Sequence, residues 1–139
     1  METPLKYALE DQVGFLLLRV TQRHLAIFNE AIPEVTTTQF AVLAQLCALG
    51  PLSQNHLGRV TAMDAATIKG VVDRLTRQGL VETAPDPEDR RRLTVSLTAE
   101  GAALFAARME TGLAISARTL GPLTPAEQAQ LLALLARLT

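Results

Sequence analysis

The densest positive charge in the 139-residue chain is the run Arg90-Arg91-Arg92. Guanidinium groups crowded in this way suit phosphate, or the narrow and electronegative minor groove of a duplex. A second polar set lies upstream. Between Asp64 and Gln78 the apolar residues Ile68, Val71, Val72 and Leu75 keep helical spacing, which leaves Ala65, Ala66, Thr67, Lys69, Gly70 and Asp73 on the opposite side. Small residues there allow close approach to base edges, Thr67 and Lys69 can reach bases or phosphates, and a helix N-terminus attracts phosphate. Asp86, Glu88 and Asp89 stand beside the arginines, however. On charge alone, a solvated turn is an equal reading of that segment.

These groups need elements to hold them. Apolar residues at Val13, Leu16, Leu17, Val20, Ile27 and Phe28 predict a helix over Leu9 to Phe28, stopped by Ile32-Pro33. Thr36 and Gln39 fit a capping box for a second helix that carries Phe40, Leu43, Leu46 and Cys47 along one side and ends at Gly50-Pro51. Ser53 can cap a short helix, and after a brief break Asp64 can cap the next, which Gly79 stops. Leu80 to Ala84 and Leu93 to Leu97 read as two strands joined by the polar, charged tip PDPEDRRR. Helical period returns from Thr98 until Gly121-Pro122, and Thr124, Pro125 and Glu127 open a last helix bearing Leu131, Leu132, Leu135 and Leu138. The expected fold is mainly α with a small β-hairpin wing. Two short helices with a tight turn, then a ribbon, make a winged helix-turn-helix if the second helix and the ribbon present their polar faces together.

Composition sets the frame. With 48% apolar and 19% charged residues the chain suits one compact domain, which excludes disorder and collagen-like repetition. A formal net charge of -1 argues at first sight against a nucleic-acid partner. A mean hydropathy of +0.20 is apolar for so small a chain, and implies that a partner covers part of its surface. The opening METPLKYALEDQ lacks a basic segment followed by an apolar one, and no apolar run approaches the roughly 18 residues of a membrane span, so a cytoplasmic protein without membrane contact is expected. One cysteine and two histidines offer neither a disulfide framework nor a zinc spacing, so no metal is expected. No glycine-rich phosphate loop, nucleophile elbow or oriented Cys/His pair is present, so neither an enzyme nor a cofactor is expected.

The run Asp89-x-Arg91, then five residues and Leu97-Thr98-x-x-Gly101, resembles the D-x-R…L-T-x-x-G signature of the MarR family of transcription regulators at every fixed position. Thr36-x-x-Gln39-Phe40-x-x-Leu43, the Leu52-Ser53 helix start, Met63-Asp64-x-x-Thr67, Val72-Asp73-Arg74-Leu75 and Gly79-Leu80-Val81 are also similar, so the resemblance covers nearly the whole chain. It implies a winged-helix lobe over 36–97 and a helical dimerisation region formed by 1–31 and 98–139. It further implies a homodimeric repressor on a pseudo-palindromic operator in double-stranded DNA, released by a small aromatic or heteroaromatic acid. The helix Asp64 to Gln78 would enter the major groove, with Ala65, Ala66, Thr67, Lys69 and Arg74 at the DNA. Arg90, Arg91 and Arg92 would form the wing, with Arg91 in the minor groove. Ser53, Gln54 and Asn55 would be candidates for phosphate contacts, and Asp89 would orient an arginine, Arg91 or Arg74. Ala65, Ala66 and Gly70 stand where members often carry Lys, Ser and Arg, which shifts weight to Thr67, Lys69, the wing and DNA shape. The segment Asp11 to Leu17 with Gln22-Arg23-His24 resembles members controlling nicotinate or other aromatic-acid catabolism.

His24 interrupts the apolar stripe of the first helix, with Arg19 and Arg23 close by. Together with Phe28 and Phe40 they could hold an aromatic carboxylate, since Arg supplies paired hydrogen bonds. The competing reading is a histidine satisfied in the core and two solvated arginines. Cys47 is expected to pack on an apolar helix face. Two alternatives stay open: a dimeric helical interaction module with a degenerate DNA-binding face, and a regulator without a small-molecule effector.

Overall fold

The computed structural model describes residues 4–139; residues 1–3, part of the expected dimerisation segment, lie outside it. Six α-helices and a small three-stranded antiparallel sheet make up the described residues. The elements are α1 (Val13–Ala31), α2 (Thr37–Leu49), β1 (Leu52–Ser53), α3 (Gln54–Val60), α4 (Ala65–Arg77), β2 (Val81–Pro85), β3 (Leu93–Leu97), α5 (Ala99–Leu120) and α6 (Pro125–Arg137). A single 3-10 turn, Leu9–Asp11, precedes α1, and Gln12 between them is extended, so the first helix starts later than its apolar pattern implies.

The chain divides into two units, Ile32–Gly112 and the terminal pair of segments Met1–Ala31 with Leu113–Thr139. In the first, the apolar faces of α2, α3, α4 and the sheet form one core, with Ile32, Leu43, Leu57, Ile68, Leu75 and Val95 almost wholly buried. Each such side chain is worth about 1.5–3 kcal/mol relative to exposure. The helix starts follow the sequence closely. Thr36 and Gln39 cap α2 reciprocally, Asp64 accepts the Thr67 N–H at 2.7 Å to start α4, and Thr124, Pro125 and Glu127 start α6.

Sheet order is β1-β3-β2, with Val81 opposite Leu97, Thr83 opposite Val95, and Leu52 opposite Val95 on the other edge. The two-residue β1 is an addition to the expected hairpin, because a pair of residues is too short to show a period. Cys47 also departs from the packing expected of it. The buried side of α2 is Gln39, Val42, Leu43 and Leu46, a stripe rotated from the expected one, and Cys47 is exposed.

The L-T-x-x-G run acquires a physical reason here. Thr98 Oγ1 donates to the Gly79 carbonyl at 2.6 Å and accepts the Gly101 N–H at 3.1 Å, so it caps α5 while tying it to the turn after α4. A Cβ at Gly101 would run into the Leu80 carbonyl oxygen, so only glycine fits. Gly79 itself has φ +75°, the left-handed stop that α4 needs.

In the terminal unit, only Ile27, Phe28 and Ile115 are buried apolar side chains among the described residues. Val13, Leu16, Leu17 and Val20 of α1, and Leu113, Leu132 and Leu138, are exposed.

Candidate nucleic-acid interface

The helix-turn-helix is α3 and α4. Its turn passes through Ala62 at φ 57°, and Met63 N–H donates to the Gly58 carbonyl at 2.8 Å. Gly58 is the close-approach point of the two helices, since an added Cβ would lie 3.1 Å from the Met63 oxygen and 3.3 Å from Ile68. With Ile68, Val71, Val72 and Leu75 buried, α4 leaves Ala65, Ala66, Thr67, Lys69, Asp73 and Arg74 exposed. A Cβ at Gly70 would meet nothing within 4 Å, so the face is open there. Lys69 Nζ pairs with Asp73 Oδ2 at 3.0 Å along this face.

The wing tip is shaped by its own carboxylates. Asp86 accepts the N–H groups of Glu88 (2.8 Å) and Asp89 (3.2 Å), and Asp86 N–H donates to the Arg92 carbonyl at 2.8 Å. Asp89 accepts from both the main-chain N–H and Nε of Arg91, at 3.1 and 3.3 Å, and its other oxygen lies 3.7 Å from Arg92 Nε. No ion pair joins Asp89 to Arg74 among the described residues. Arg90 is exposed, and so are the outer ends of Arg91 and Arg92. The main-chain N–H groups of Glu88 and Asp89 hold the Asp86 carboxyl below the usual carboxylate range, and the Thr67 N–H does the same for Asp64. These N–H groups favour the ionised form.

The wing and the start of α3 meet. Ser53, Gln54 and Asn55 line a cavity of about 140 Å³ with Arg91, Arg92 and Leu93. β1 makes this possible, because its pairing with β3 carries the start of α3 to the base of the wing. A second, more open hollow of about 340 Å³ borders the α4 N-terminus and is lined by Thr37, Thr38, Thr61, Met63, Asp64 and Thr67 among others. Behind α4, buried Gln39 donates to Gln78 Oε1 at 3.2 Å while accepting the Thr36 N–H. The capping box made Gln39 legible in sequence, but nothing there signalled its bond to Gln78.

The residues expected to hold an acid divide between the two units. In the terminal unit, Arg23 donates from both terminal nitrogens to the carbonyls of Thr119 (2.6 Å) and Arg118 (2.9 Å), and His24 Nδ1 lies 2.8 Å from Thr119 Oγ1. Arg23 thereby satisfies carbonyls at the end of α5, where a cation also meets the negative end of the helix dipole. Arg19 lies over the Phe15 ring at 5.9 Å, and Phe28 is buried. In the other unit, Phe40 packs on Phe105 at 5.2 Å between centroids. Among the described residues no group of His, Cys, Asp and Glu is placed to hold a metal ion, and no helix is long and apolar enough to cross a membrane.

A profile of the MarR family matches residues 34–92. The chain is 42% identical over 134 residues to the HTH-type transcriptional repressor NicR of Pseudomonas putida, covering 95% of this chain and 85% of that one. A solved structure of a probable transcriptional regulator from Pseudomonas aeruginosa superposes with a TM-score of 0.92 at 48% identity, covering 95% of this chain and all of that one. The Bordetella bronchiseptica protein BpsR, whose DNA binding is regulated by 6-hydroxynicotinic acid, superposes with a TM-score of 0.91 at 39% identity over 96% of both chains.

Proposed function

The chain belongs to the MarR family, and on that premise we propose that it is a transcriptional repressor that binds operator DNA as a homodimer and is released by a heteroaromatic acid. The observations that carry the DNA reading are the exposed polar face of α4 and the meeting of the wing with the start of α3. Ala65, Ala66, Thr67 and Lys69 approach base edges in the major groove, and Arg74 meets the backbone beside them. Arg91 enters the flanking minor groove, while Arg90, Arg92, Ser53, Gln54 and Asn55 engage phosphates. Asp89 holds the arginine stems at the wing tip, so that less side-chain freedom is lost on binding.

The second copy is argued from the terminal unit. Val13, Leu16, Leu17 and Val20 form an exposed apolar stripe on α1 at helical spacing. A partner helix set of the same kind buries it, and two lobes then read two half-sites. Such a repressor works in the cytoplasm, with its DNA, and carries no catalytic group.

The effector class rests on the likeness to BpsR and on the cationic and aromatic groups of α1. With both terminal nitrogens of Arg23 bonded to carbonyls and His24 Nδ1 beside Thr119 Oγ1, Arg19 and His24 Nε2 are the groups of α1 left to meet a carboxylate; Arg23, Phe28 and Phe40 complete the proposed set. The test is fluorescence anisotropy on the duplex upstream of the chain's own gene, titrated with 6-hydroxynicotinic acid. Release by the acid, blunted in His24→Ala, supports the reading. Tight binding indifferent to every heteroaromatic acid would leave a repressor of another effector class, and absence of duplex binding would overturn the repressor itself.

A further inference from the structure

Four aspartates lie in the unit Ile32–Gly112, and three of them shape the backbone. Asp64 accepts the Thr67 N–H, Asp86 those of Glu88 and Asp89, and Asp89 that of Arg91. Among the described residues Asp73 accepts no main-chain hydrogen bond and its partner is Lys69, at 3.0 Å; both side chains are more than half exposed. An exposed pair one turn apart on a helix contributes only about 0.3–0.5 kcal/mol. Fold stability therefore gives little reason for a carboxylate at this position. For a surface meant to approach a polyanion, the carboxylate is a cost, since it repels phosphate.

Its position gives it a use. Ala66, Lys69, Gly70 and Asp73 fall at the i, i+3, i+4, i+7 spacing of one helix stripe. Lys69 and Asp73 are the polar side chains of that stripe, and open space over Gly70 lets an edge come close beside the pair. One donor and one acceptor side by side match the major-groove edge of a G·C pair, where guanine offers O6 and N7 as acceptors and cytosine offers its N4 amino group as a donor.

Resting on the repressor reading above, we infer that Lys69 and Asp73 act as one specificity-determining pair: Lys69 donates to a guanine and Asp73 accepts from the N4 amino group of a cytosine in each half-site. Asp73 has a second effect in the same geometry. Its charge offsets Lys69 on duplexes that present no matching edge, so it lowers non-specific affinity while leaving the matched site bound.

The experiment is selection from a randomised duplex library with the full chain, repeated with Lys69→Ala, Asp73→Asn and Asp73→Glu, together with affinity for an unrelated duplex over a salt series. The expected result is one G·C column per half-site, preferred about tenfold or more. Lys69→Ala and Asp73→Asn erase it at the same position, and Asp73→Glu retains it in part. Asp73→Asn is also expected to bind the unrelated duplex more tightly. If the unmutated chain enriches a motif whose columns are the same in Asp73→Asn, the inference is overturned and the repressor reading stands. If the unmutated chain enriches no motif, both fall.

Discussion

The unit Ile32–Gly112 and the terminal unit contrast in what they do with apolar side chains. In the first, α2, α3, α4 and the sheet bury most of their leucines, isoleucines and valines against one another, and the buried Gln39 is hydrogen-bonded. In the second, α1 and α6 leave most of theirs in solvent. The two units carry similar helix signals in sequence, so the difference is one of company: the lobe supplies its own second layer, whereas the apolar side chains of the terminal helices stay exposed, as the proposed second copy would explain. The apolar surplus in the composition belongs to that unit. The near-zero net charge hides a local arrangement, in which wing arginines are held by acids that also fix the turn.

The largest expected effect breaks the terminal side of this contrast. The double substitution Leu17→Glu and Val20→Glu should convert a dimer to monomers in sedimentation, and should weaken operator binding by more than a hundredfold because two linked half-sites become independent. A dimer that persists would place the self-association surface elsewhere. Next is the lobe itself. Gly101→Ala forces a methyl group onto the Leu80 carbonyl and should cost about 3 kcal/mol, read as a lowered urea midpoint. A cost within 0.5 kcal/mol, the usual range of a surface change, would show that the α4-to-α5 junction has room to yield at Leu80.

Smaller changes sharpen the contrast within the lobe. Arg91→Ala should weaken binding to all duplexes and flatten the plot of log affinity against log salt by about one unit; an unchanged slope would take Arg91 off the DNA. Ala62→Gly relieves a left-handed alanine in the α3–α4 turn and should raise stability by about 0.5–1 kcal/mol. Last is acid sensitivity. Asp64 and Asp86 titrate below their ordinary range because they accept main-chain N–H groups, so they stabilise the fold above their unfolded pKa. That contribution fades as pH falls through the lowered folded values. Asp86→Asn should therefore make stability less steep in pH on the acid limb below about pH 4, and an identical acid profile would remove Asp86 from the wing's support.

Much of the fold was legible because caps and periods are local. Thr36-x-x-Gln39, Asp64-x-x-Thr67 and Thr124-Pro125-x-Glu127 each announce a helix by bonds within four residues, and the α4 stripe follows from spacing alone. What sequence could not show depends on contacts between distant segments. β1 exists only because β3 lies beside it, Gly101 is glycine because Leu80 lies against it, and Arg23 meets carbonyls 95 and 96 residues further along. Cys47 illustrates the same limit from the other side, since a small shift in the buried face of α2 moved it into solvent. At the interface, the arginines were visible as a run. Their convergence with Ser53, Gln54 and Asn55 needed the strand pairing.

The most direct test is the stoichiometry and salt dependence of binding to a duplex carrying an inverted repeat, with half-site centres about one helical turn apart, compared with the same duplex carrying one half-site. Two copies per inverted repeat, steep loss of affinity with salt, and binding at least a hundredfold weaker to the single half-site are expected. One copy per duplex with equal affinity for both, or binding insensitive to salt, would contradict a two-lobed reader whose terminal helices are completed by a second chain.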